Sequence, residues 1–234
     1  MWKALMALLL GAAPVLAQEN LTAYDALRAV GEHLGRAAVN HVISVTGTEG
    51  NPQPETWRIL LENPNGRGAR EVEVTGGRIT SDRGPSRDVV GSSNGAIINT
   101  KQLNLDSSGA FSVASHTADK SSTQFSTVDY TLRNNERGEP TWIVTLHSRS
   151  GRPVGTIHVG ANRGAVTRTE GMFAGATMED VQTDEVGSED GEEGNGPFRH
   201  TKAKIRASFL RAQDQARGMF ERVRRSFTDF INRT

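Results

Sequence analysis

One stretch of this chain is written twice. Residues 56–80 align with residues 140–167: Thr56 and Trp57 fall on Thr141 and Trp142, and Leu61 falls on Leu146. Gly66 and Arg67 fall on Gly151 and Arg152, and Val72 and Val74 on Ile157 and Val159. After a two-residue insertion, Gly77 and Ile79 meet Gly164 and Val166. In the first copy Trp57, Ile59 and Leu61 point one way, and Arg58, Leu60 and Glu62 the other. After the turn, Val72 and Val74 alternate with Glu71 and Glu73. A period of two on both sides of a glycine-bearing turn is an antiparallel hairpin with one buried face. A duplicated hairpin restricts the chain to folds built from two like halves.

Each hairpin follows a further strand and a helix. Val42, Ile43 and Val45 suit a strand over residues 41–47. Ahead of it Leu21, Tyr24, Leu27, Val30, Leu34 and Ala38 recur at steps of three and four, with Asn20 available as a cap. Gly31 and Gly35 weaken that helix by about 1 kcal/mol each relative to alanine, so it needs a sheet beneath it. In the second half Asp106 or Ser107 caps a poorer helix near residues 108–120, with Phe111, Val113, Ala114 and Ala118 as its contacts and Phe111 in the place of Tyr24. Val128, Tyr130 and Leu132 alternate on the next strand, followed by Trp142, Val144 and Leu146. The expected fold is α+β: two tandem helix-plus-antiparallel-sheet units over residues 18–80 and 96–169, joined by a hydrophilic connector at residues 81–95.

The remainder divides by charge. Residues 170–197 collect Glu179, Asp180, Asp184, Glu185, Glu189, Asp190, Glu192 and Glu193 among glycines, with no cation. They read as a disordered acidic linker. Residues 198–234 read as a long basic amphipathic helix. Ile205, Phe209, Ala212, Ala216, Met219, Phe220, Val223, Phe227 and Phe230 recur at helical spacing. Ten cations there face three acids, a net charge of +7 in a chain whose overall formal charge is zero. Lys202, Lys204, Arg206, Phe209, Arg211, Phe220, Arg224, Phe227 and Phe230 are the candidate contact residues for an anionic membrane surface or an acidic protein partner. The same helix can instead fold back on its own domain.

Residues 1–17 read as a secretory signal peptide. Lys3 precedes a short apolar run, and Pro14, Val15, Leu16 and Ala17 end it with small residues at cleavage spacing. Export to the periplasm or outside the cell makes nucleic acid an improbable partner for the basic helix. The chain has no cysteine, which excludes disulfides, thiolate metal sites and cysteine nucleophiles.

No catalytic constellation is legible. His147 and His158 stand on opposite strands of the second hairpin, near Val154 and Ile143 respectively, too far apart to share a metal. His33, His41, His116 and His200 show no metal-protease spacing. Ser107, Ser108, Ser112 and Ser115 form no nucleophile elbow, and no Walker spacing follows any glycine cluster. Glu71 and Glu73 lie on a wet strand face. The expectation is a chain that is not an enzyme, with no cofactor, metal or small-molecule substrate.

The order of elements resembles the PepSY-like domains of exported bacterial proteins. The residues that carry the likeness are Trp57, Leu61, Gly66, Val72, Val74, Gly77 and Ile79, and in the second copy Trp142, Leu146, Gly151, Ile157, Val159, Gly164 and Val166. Tryptophan stands where that family usually has tyrosine. The resemblance implies a non-catalytic cell-envelope protein that binds or modulates a partner, with the sheet as scaffold. It also implies an alternative, a peptidase-inhibitor-like protein acting through a sheet edge or a turn such as residues 63–66 or 149–152. A likeness of fold alone names no ligand.

Overall fold

The computed structural model describes residues 21–63, 68–86, 96–171 and 229–230. The first helix, α1 (Ala23–Leu34), leads into strands β1 (Val42–Gly50), β2 (Thr56–Glu62), β3 (Ala69–Thr75) and β4 (Arg78–Ser86). The second, α2 (Ser107–Lys120), leads into β5 (Thr127–Asn134), β6 (Pro140–His147), β7 (Pro153–Gly160) and β8 (Val166–Glu170). Short 3₁₀ turns follow α1 and precede α2.

These strands form one sheet, and this corrects the expectation of two tandem units. All eight strands lie in the order β4-β3-β2-β1-β5-β6-β7-β8, every neighbour antiparallel. The physical reason is the first strand of each half. β1 bonds β2 along one edge and β5 along the other, pairing Val45 with Leu132, Thr46 with Thr131 and Gly47 with Tyr130. A free edge on either half would expose unpaired backbone groups, and joining the halves there satisfies them. The described elements include no long third helix. Of the expected basic helix only Asp229 and Phe230 are described, both helical. The acidic linker beyond Gly171, the expected signal peptide and the proposed cap Asn20 lie outside the described residues.

The register sets a local two-fold between Thr46 and Thr131, exchanging Val45 with Tyr130 and Gly47 with Leu132. The helix ends obey it. Thr22, and not the expected Asn20, caps α1, in a capping box with Asp25, and Asp106 caps α2. The residue before each cap receives a tryptophan: Trp57 Nε1 donates to Leu21 O at 2.7 Å, and Trp142 Nε1 to Leu105 O at 2.8 Å. Phe111 stands five residues after its cap, as Leu27 does, and not in the place of Tyr24.

Both halves contribute to a single core. The rings of Trp57, Tyr130 and Trp142 form a triangle with centroid separations of 5.7, 6.2 and 6.5 Å. Around it pack Leu27, Val30, Ile59, Val72, Val113, Leu132, Val144 and Ile157, all buried. Gly47 keeps room for this arrangement, because a Cβ there would lie 2.6 Å from Pro54 Cγ and 2.9 Å from Trp57 Cε3. β4 continues to Ser86, through residues whose composition reads as connector. As an edge strand it tolerates glycine, proline and charge.

Candidate functional site

The core lies on the helix side of the sheet. The other side carries the outward residues of all eight strands. One row crosses it through Ser81, Glu73, Arg58, Thr46, Thr131, Ile143, His158 and Arg168. The β2–β4 part of this face is ionic. Arg58 donates to Glu73 at 3.1 Å and lies 3.6 Å from Glu71, while Arg83 lies 3.2 Å from Glu71 and 3.8 Å from Glu73. These exposed cross-strand pairs contribute up to about 1 kcal/mol each. The centre is neutral, with Thr46, Thr131, Thr145, Thr156, Leu60 and Ile143. The β5–β8 part carries Asp129, His147, His158, Arg168 and Glu170.

The two histidines of this face belong to separate clusters. His158 pairs with Ile143 as the turn position required, whereas a bulge after Leu146 sets His147 opposite Pro153. His147 Nε2 lies 3.0 Å from Asp129 Oδ2, and its Nδ1 lies 3.2 Å from Gly151 O. Asp129 is itself held by the Glu49 N–H at 2.8 Å. Both ring nitrogens therefore face acceptors. The ring thus sits between β5 and the β6–β7 turn. His158 Nε2 lies 3.8 Å from Glu170, and Arg168 approaches the same carboxylate at 2.9 Å. Partial burial, then the Arg168 charge, push His158 below the usual histidine range. Among the described residues no group of three or more His, Asp or Glu could hold a metal.

The strongest perturbation lies under the helices. Asp106 is fully buried at the seam where both helix N-termini meet. Its Oδ1 accepts the Ser107 N–H at 2.6 Å and the Tyr24 N–H of the other helix at 3.1 Å. Ser107 Oγ accepts the Ala23 N–H at 3.0 Å and donates to buried Gln53 at 2.7 Å. One half of the chain thus caps the helix of the other. Desolvation pushes Asp106 up to about 7, against the opposing hydrogen bonds from Thr22, Ser107 and Tyr24. Tyr130 donates to Pro52 O at 2.6 Å, and burial, then Asp106, raise it well above its ordinary value. These groups are sealed from solvent and hold structure. The sequence places Asp106 as a cap of its own helix, but its service to α1 spans 82 residues and no local pattern announces it.

Nothing in the described residues forms an enclosing cleft around these groups. A shallow depression of about 250 Å³ lies between Asn40 and residues 97–101, with Lys101 its one ionic side chain. No helix among the described residues is long and apolar enough to cross a membrane. Of the sequence-derived contact residues, Lys202, Lys204, Arg206, Phe209, Arg211, Phe220, Arg224 and Phe227 lie outside the described residues. Phe230 is described: it is half-buried and packs against the core beside Gly31 and Val39, with Arg36 Cζ 5.2 Å from its ring centroid. No protein-family model matches the chain, and no curated protein is similar to it.

Proposed function

We propose that this is an exported, non-catalytic binding or modulating protein. The sheet is its rigid scaffold, and the basic C-terminal segment is its contact element for an anionic membrane surface or an acidic partner. The observation that carries this reading is the sheet face opposite α1 and α2, on which no other described helix or strand lies. It is eight strands wide, and its ionic side chains engage one another across the strands. Such a surface suits contact between surfaces, whereas enclosing a small substrate needs a concave, convergent site. The net charge of +7 and the phenylalanine stripe of residues 198–234 supply the attraction. The resemblance to PepSY-like envelope proteins and the N-terminal export signal point the same way. Co-sedimentation with vesicles containing phosphatidylglycerol, comparing the full chain with a chain ending at Gly196, tests the proposal. Binding that depends on the C-terminal segment supports it, and equal binding by both chains removes the segment from the account.

A second reading, peptidase inhibition, has one feature in its favour. The β6–β7 turn presents Arg149 and Arg152, both exposed, on a stiff frame. Gly151 N–H donates to Ser148 O at 2.9 Å, Ser148 N–H to Arg152 O at 2.8 Å, and Arg152 Nε to Ser150 Oγ at 3.3 Å. A preorganised loop loses little conformational freedom on entering a cleft. The alternative turn at residues 63–66 lies largely outside the described residues. Inhibition of a peptidase specific for arginine, abolished by Arg149→Ala and Arg152→Ala together, would favour this reading over the first.

A further inference from the structure

Gly31 poses a question that α1 alone does not answer. It sits inside a helix, where glycine weakens the backbone and no left-handed conformation calls for it. Its neighbour Gly35 is different, with φ +90° at the helix end. The reason for Gly31 is on its outer side. A Cβ built there would lie 2.6 Å from Phe230 Cζ, 3.1 Å from Phe230 Cε1 and 3.0 Å from Val39 Cγ2. Such contacts are too short for carbon, so any side chain at residue 31 displaces the ring. Arg36 completes the arrangement, its guanidinium 5.2 Å from the ring centroid, within the range of cation–π attraction. A missing side chain, an aliphatic wall and a cation together form a notch for one aromatic ring. The ring belongs to the apolar stripe of the basic segment.

We propose that the Gly31 notch is an intramolecular docking site for Phe230, which withholds the basic C-terminal segment until an anionic lipid surface takes it up. This rests on the reading of that segment as the contact element, and adds its regulation. The apolar stripe that enters a lipid interface includes Phe230, so the ring cannot occupy notch and bilayer together. Docking and membrane contact therefore compete, and apparent affinity for the bilayer falls by the fraction of molecules that are docked. Lipid is the favoured competitor because phenylalanines alternate along the segment with lysine and arginine, the composition of an interfacial helix.

The test places 4-fluorophenylalanine at residue 230 of the full chain and reads its ¹⁹F resonance with a soluble paramagnet. In the otherwise wild-type chain the label is protected. Gly31→Leu fills the notch and removes the protection. Arg36→Gln, a change at an exposed side chain away from the core, reduces protection without endangering the fold. Vesicles containing phosphatidylglycerol and a spin-labelled lipid quench the wild-type label from within the bilayer, and phosphatidylcholine vesicles with the same spin label do not. If the notch holds nine molecules in ten, Gly31→Leu tightens binding to the anionic vesicles by on the order of tenfold. A label unprotected in the free chain overturns the docking site. A label on bound vesicles that the lipid spin label leaves unquenched and that stays protected from the soluble paramagnet overturns the competition and leaves the membrane reading standing. Release by polyglutamate but not by vesicles overturns the choice of lipid. A protected label in a chain that binds no vesicle overturns the regulatory role and the membrane reading together.

Discussion

Replacing Asp106 by asparagine isolates the electrostatics of the helix seam. Asparagine keeps the shape and an oxygen to accept the Tyr24 and Ser107 N–H groups, and it removes the titration. In the folded protein Asp106 is raised from 3.8 to about 7. Between those values the folded state holds a proton that the unfolded state has released. Its contribution is therefore fully present below about 3.8 and is lost as pH rises through about 7. At 1.36 kcal/mol per unit, the whole window amounts to on the order of 4 kcal/mol, with about 3 kcal/mol between pH 4.5 and 7.5. The groups that face the carboxyl are Thr22 and Asp25 from α1, Ser107 from α2 and Tyr130 from β5. Asp25 raises it, and the hydroxyl and amide donors lower it. Urea denaturation of both proteins across this range is the assay. Relative to Asp106→Asn, the wild-type midpoint falls by more than about 1 M as pH rises from 4.5 to 7.5, given typical urea slopes. A gap that does not change with pH refutes the reasoning. So does a gap that moves the other way, which would show that the two helix N-termini hold the carboxylate charged.

The two tryptophan hydrogen bonds separate by burial. Trp142→Phe leaves Leu105 O without its donor in a buried position, and costs about 1–3 kcal/mol beyond the lost ring volume. Trp57→Phe costs less for the same deletion, because its bond to Leu21 O is partly open to water; thermal denaturation of the two variants ranks them. Gly47→Ala drives a methyl against Pro54 and Trp57 and destabilises by about 1–3 kcal/mol. Gly84→Ala meets nothing within 4 Å and stays within about 0.5 kcal/mol of wild type in the same denaturant titration.

Local pattern carried part of this fold into view. The alternation through Trp57, Ile59 and Leu61, and through Trp142, Val144 and Leu146, identifies strands whose inward residues are all buried. Asp106 is legible as a cap because helix N-termini favour that residue type. What pattern withheld was pairing between the halves. Nothing in Val45, Thr46 and Gly47 states that their second edge meets Tyr130, Thr131 and Leu132, since a strand bonded on both sides and a strand bonded on one share the same alternation. The edge strand β4 was hidden for a related reason: it has one ladder to satisfy, so its sequence holds Asp82, Arg83, Gly84 and Pro85 where an inner strand holds aliphatics. On the face opposite α1 and α2, the alternation showed which way His147 and His158 point. It did not show that Asp129 and Glu170 would engage them, because each contact crosses between strands. Gly31 reads locally as a weakness in α1. Its reason lies almost two hundred positions downstream, at Phe230.

The cross-bracing at the seam has a consequence for how the molecule comes into being. During synthesis the leading half emerges with the Ala23 and Tyr24 N–H groups of α1 unpaired and β1 bonded on one edge alone, because the missing partners come from residues beyond position 105. Loop closure over more than eighty residues precedes the reward of the central ladder, which makes assembly slow and nearly all-or-none. A nascent chain of this design stays loose until its second hairpin is made, the condition a polypeptide needs if it is to be threaded through a narrow pore before it folds.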